Sequence, residues 1–249
     1  MTMAAGKWSS TVIMTMVVSV AFAQTPANPA QFDPAAMRAA MEAFDKVPDT
    51  VGTGKYPAIK QVVPSLPDHV VYQPKDLSAL GTAKLGVVAW GNGGCSADGA
   101  SARLHLEEIA SHGYLVIAPG AILSGPGSLP HVLPPLPAPG APRVIPPPAT
   151  HADSLVQSID WALAENNRKD SPLFHRINPD WIAVSGHSCG GLQALKVAAD
   201  PRVRTVVIDN SGIFSPGATP NAEMDIGKAT LDQLHSSIIY LLGGSTDIA

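Results

Sequence analysis

The chain has 249 residues, 45% hydrophobic and 14% charged, enough for one large domain with a buried core. A formal net charge of −4 supplies no basic field for nucleic acid or anionic lipid, and disorder needs lower hydrophobicity and higher net charge. With 22 glycines and 24 prolines, the domain is expected to carry long, rigid loops.

Residues 1–23 read as a signal peptide. Lys7 supplies the positive start, Val12 to Val20 the apolar run, and Ala21-Phe22-Ala23 the small-x-small cleavage site, leaving Gln24 first in the mature chain. The apolar run is too short to span a bilayer, and no cysteine follows it to carry a lipid, so no stable membrane anchor is expected. The destination is secreted or periplasmic, and residues 24–249 form one domain.

Pro34 to Phe44 predicts a short amphipathic helix with proline in its first turn, and residues 51–57 read as a loop. His69-Val70-Val71-Tyr72 is an expected strand. Leu85 to Trp90 is a stronger one, apolar throughout as a strand covered on both faces requires. Residues 100–112 predict a helix, Tyr114 to Ala118 a strand, and His151 to Asn166 a helix. Trp181 to Val184 is the next strand, followed by a helix over Leu192 to Ala199. Arg204 to Ile208 and Ser237 to Leu242 complete the strands. Strands alternating with helices predict an α/β fold, a mostly parallel, doubly wound sheet flanked by helices. Residues 123–149 interrupt the alternation with ten prolines. A wall or lid over a pocket, a surface excursion and a polyproline recognition segment all fit that composition.

The chemistry is concentrated in Gly186-His187-Ser188-Cys189-Gly190-Gly191, set between a strand and a helix. In a G-x-S-x-G turn so tight, the serine takes a strained backbone and its neighbours must be small. The helix that follows favours negative charge developing at its N-terminus. A phosphate-binding loop would need Gly-Lys-Ser/Thr instead, and no H-E-x-x-H, Cys-x-x-Cys or Asp-rich loop indicates a metal or other cofactor.

From about Leu85 onward the chain resembles the α/β-hydrolase superfamily, in particular secreted serine esterases related to dienelactone-hydrolase, lipase and cutinase-type enzymes. The resemblance rests on that hexapeptide, on Trp90-Gly91-Asn92-Gly93-Gly94 and on Gly243-Gly244-Ser245-Thr246-Asp247. It implies cleavage of a small-molecule or polymeric carboxylic ester through an acyl-enzyme on Ser188, with the Cys189 N–H and a second N–H, Asn92 or alternatively Gly93, forming the oxyanion hole. It also implies that the loops bearing Cys95 and Cys189 meet, so that a Cys95–Cys189 disulfide would fix the spacing of the two donors; two buried thiols are the alternative. Asp247 is the implied acid, with Asp209 as the other position.

The family order then calls for a histidine after the acid, and all eight histidines precede Asp247. The expectation is therefore a C-terminally incomplete hydrolase without its last strand and closing helix, weak or inactive for want of a base. A non-catalytic binding protein of the same fold is the alternative. His131 and His151, bordering the proline-rich segment, are the candidates for an internal base. Few aromatics (5%) and the proline-rich stretch point to an apolar acyl or ester pocket.

Overall fold

The structure is a computed structural model that describes residues 33–130, 135, 146–214 and 222–243. Asp247, His131, the signal-peptide reading and most of the proline-rich segment lie outside the described residues. Seven strands form one sheet: β1 (Ala58–Val63), β2 (Leu66–Pro74), β3 (Leu85–Gly91), β4 (Tyr114–Pro119), β5 (Ile177–His187), β6 (Thr205–Asp209) and β7 (Ser237–Leu241), in the order β1-β2-β4-β3-β5-β6-β7. The strands β4, β3, β5, β6 and β7 run parallel, whereas β1 and β2 are antiparallel to their neighbours. The expected α/β architecture with a mostly parallel sheet is present. The antiparallel hairpin at its margin, and β1 in particular, were not anticipated. The β1 segment, Ala-Ile-Lys-Gln-Val-Val, mixes polar and apolar residues without a clean alternation.

β3 shows why the sheet is central. All seven of its residues are buried, and they alternate between two cores. Val87 and Ala89 join Leu155, Ile159 and Leu192 on one face; Val88 and Trp90 join Leu106 and Ala110 on the other. The helices supplying those partners are α2 (Arg103–Ser111), α3 (Ala152–Asn167) and α4 (Cys189–Val197). On α3, Leu155, Ile159 and Ala162 recur at helical spacing and are wholly buried, and each large side chain contributes about 1.5–3 kcal/mol. Asp33 caps the first helix, α1 (Pro34–Asp45), by accepting from the amides of Ala35 and Ala36.

Arg103 ties the chain after α1 to the domain. Its guanidinium is buried, donates to the carbonyls of Phe44 and Val47, pairs with Asp49 at 3.2 Å and stacks on the Phe44 ring. At the other margin, β7 is an edge strand with all five residues exposed. It carries no charge or proline of the kind that usually blunts an edge.

His69 on β2 is buried, donates from Nε2 to the Ser154 carbonyl on α3, and leaves Nδ1 unpartnered. Burial holds its pKa below the ordinary histidine value, the Ser154 hydrogen bond and nearby Asp68 opposing only in part. The folded state therefore binds fewer protons here than the unfolded chain, so stability should be full above about pH 6.5 and decline as pH falls from there towards the folded pKa. Urea midpoints at pH 7.5 and 5.5 should fall more for the native chain than for His69→Gln. Equal losses in the two proteins would show that His69 does not titrate this way.

Candidate functional site

The predicted turn lies where β5 meets α4. Ser188, between them, has φ 52° and ψ −120°, a left-side conformation costly for any residue with a Cβ. Its amide donates to the Asp209 carbonyl at 3.0 Å, and its carbonyl accepts from the Ser211 hydroxyl at 2.7 Å. The strained turn is thus held on both sides by the chain leaving β6. The helix begins directly at Cys189, three residues earlier than the periodicity placed it. The amides of Gly191 and Leu192 donate to the Ser188 carbonyl, whereas those of Cys189 and Gly190 come too early in the helix for an intrahelical acceptor.

Small residues let three segments converge here. A Cβ on Gly190 would lie 2.1 Å from the Gly91 backbone and 2.6 Å from the Asn92 nitrogen, and one on Gly186 would lie 2.4 Å from Gly190. The two predicted loops therefore touch at the end of β3. Asn92 is fully buried, and its side-chain amide donates to the carbonyls of Ser96 and Pro119, pinning the loop. Gly93 lies against the imidazole of His187, which would come within 2.7 Å of a Cβ there.

Cys95 and Cys189 form a disulfide with Cα atoms 5.3 Å apart, and both residues are buried. The Cys95 carbonyl also accepts from the amides of Ala149 and Thr150, and the Thr150 carbonyl accepts from Gln193 of α4 at 2.6 Å. The Asn92 loop, the end of the proline-rich segment and α4 are thereby joined at one point. Thr150, Gln193 and Ser211 were not singled out from the sequence. The only hint in the sequence was a polar glutamine, Gln193, within the mostly apolar run that follows the serine.

The structure brings Ser188, Cys189, Asn92 and Cys95 together. Asp209 ends β6 beside His187 and accepts from the Ser185 hydroxyl at 3.1 Å. Among the described residues, none hydrogen-bonds to the Ser188 hydroxyl. None of the described histidines hydrogen-bonds to Ser188. His105 packs on Trp90, and His112 bonds Glu108. His175 and His235 lie just before β5 and β7, at the edge of the sheet opposite Ser188.

His151 donates from Nδ1 to Glu223 at 3.1 Å. Glu223 also accepts from the Ala152 amide and faces Lys196 at 3.8 Å. Lys196 is eight residues past Ser188 on α4, about 12 Å along the helix axis. The His151–Glu223 pair therefore anchors the chain around residue 223 at the start of α3. Among the described residues no group of three or more His, Cys, Asp or Glu is placed to hold a metal.

No known family's model matches this chain, and no curated protein is significantly similar to it. Fold and site define an α/β protein with a mostly parallel seven-stranded sheet. A strained serine stands at the carboxyl end of a central strand, stapled by a disulfide to the loop that follows the neighbouring strand.

Proposed function

We propose that the chain is a serine hydrolase of α/β-hydrolase type acting on carboxylic esters. The carrying observation is the backbone of Ser188, held at positive φ between β5 and a helix N-terminus, with the Gly91–Cys95 loop stapled beside it. Backbone strain of this kind clusters at functional sites. The strand order is compatible with the same reading. In the proposed reaction, the Ser188 hydroxyl adds to the ester carbonyl, the alcohol leaves with a proton, and water then releases the acid and regenerates the serine. Amides of Cys189 and of Asn92 or Gly93 would receive the charge on the carbonyl oxygen, each contributing about 2.7–4 kcal/mol to the transition state. Asp247 is the proposed acid. The buried disulfide supports export to an oxidising compartment, with residues 1–23 as the signal peptide.

A non-catalytic binding protein of the same fold is the second reading, favoured by the absence of a described histidine at Ser188. A fluorophosphonate probe separates the two. The folded chain is expected to take up label slowly, well below the rate of a complete triad, and Ser188→Ala to abolish it. A folded chain that stays unlabelled, or a Ser188→Ala protein that labels equally, overturns the acyl-enzyme reading.

A further inference from the structure

The Ser211 hydroxyl, on a buried residue, donates to the Ser188 carbonyl at 2.7 Å. That carbonyl belongs to the same peptide group as the Cys189 N–H, one of the two proposed oxyanion donors. The group is planar and, like every described peptide bond, trans. Its C=O and N–H therefore point in opposite directions, and whatever fixes the one aims the other. The carbonyl also accepts from the amides of Gly191 at 2.9 Å and Leu192 at 3.4 Å, so the Ser211 bond is the shortest of the three. Among the described residues, no group accepts from the Cys189 amide.

Ser211 is itself set by the sheet. Asn210, at φ 45°, turns the chain out of β6, and its amide donates to the Leu241 carbonyl of β7 at 2.8 Å. The Asp209 carbonyl accepts from the Ser188 amide at 3.0 Å. Residues 209–211 thus hold both peptide groups that flank the strained Ser188 Cα. Gly191 admits this approach, since a Cβ on it would lie 2.7 Å from the Ser211 Cβ. A glycine just outside the G-x-S-x-G motif is explained in the same way. The disulfide tethers the Cys189 side chain, whereas Ser211 fixes the peptide that precedes it. A hydrogen bond accepted by a peptide carbonyl also polarises the group, which makes its N–H a stronger donor.

We propose that Ser211 is a positioning residue for the oxyanion hole. It orients and polarises the Ser188–Cys189 peptide so that the Cys189 N–H meets the charge developing on the substrate oxygen. The inference rests on the hydrolase reading and adds to it a residue from the turn after a different strand. The test compares a fluorophosphonate with its thiono analogue, in which sulfur replaces the phosphoryl oxygen and accepts hydrogen bonds poorly. In Ser211→Ala, labelling of Ser188 by the oxygen probe should slow about tenfold and by the sulfur probe no more than about twofold. Ser158→Ala removes another buried hydroxyl, one that donates to the Ser154 carbonyl within α3, and should keep both rates. Thermal melts confirm that both variants fold.

A second measurement needs no probe. The carbonyl carbon resonance of Ser188 should move upfield in Ser211→Ala, because an accepted hydrogen bond deshields that carbon. Unchanged rates, equal losses with the two probes, or an unmoved resonance overturn the Ser211 assignment and leave the hydrolase reading standing. A folded native chain that takes up neither probe overturns the hydrolase reading, and the assignment falls with it.

Discussion

Replacing Cys95 and Cys189 together by alanine is expected to lower the unfolding free energy by about 4 kcal/mol. The bridge closes a loop across a sequence separation of 94, so its removal returns a large conformational freedom to the unfolded chain. Alanine keeps both Cβ atoms and adds no polar group to a site where Cys95 and Cys189 are buried, so the folded state changes little. Urea denaturation of the double variant beside the native chain measures the difference. A loss below about 1 kcal/mol would mean that the unfolded ensemble is restrained in some other way. Amide exchange in residues 92–96 and 149–150 should also quicken, because the Cys95 carbonyl holds the latter pair.

Gly190→Ala is expected to cost about 3 kcal/mol and to disturb the elbow itself. The new methyl would meet the carbonyl carbon and oxygen of Gly91 at 2.1 Å, and these backbone atoms cannot rotate aside. Relief requires α4 to move off the end of β3, which pulls against the disulfide and the Ser211–Ser188 bond. Gly227→Ala is the control, since nothing lies within 4 Å of its Cβ position and its φ is −87°. A melting temperature for Gly190→Ala within a degree of the Gly227→Ala value would show that the two segments are less tightly apposed than described.

Much of the fold was legible because its signals are local. The continuous apolar run of β3 announced a strand buried on both faces, and all seven residues are buried. The spacing of Leu155 and Ile159 announced the buried stripe of α3. The small residues around Ser188 announced a turn too tight for side chains, and positive φ is found there. β1 escaped notice because an edge strand half open to solvent shows no continuous apolar run and, here, no strict alternation. The start of β5 before Trp181 did too, since Asn178, Pro179 and Asp180 are poor strand formers and a register shift against β3 accommodates them.

By itself, then, the sequence determined the class of fold, the position of the strained serine and the need for glycine beside it, since each depends on residues within a few positions of one another. The resemblance had implied the Cys95–Cys189 pairing, which is present; the tertiary structure supplies its cause and decided which other distant residues meet. Strand order sets β3 beside β5 and so brings Cys95 to Cys189 across 94 positions. The turn after β6 places Ser211 under Ser188, and the return from the proline-rich segment sets Thr150 against Gln193. The same packing commits His69 to the core and His151 to Glu223. A residue's neighbours across a sheet follow from the path of the whole chain, and no local periodicity encodes that path.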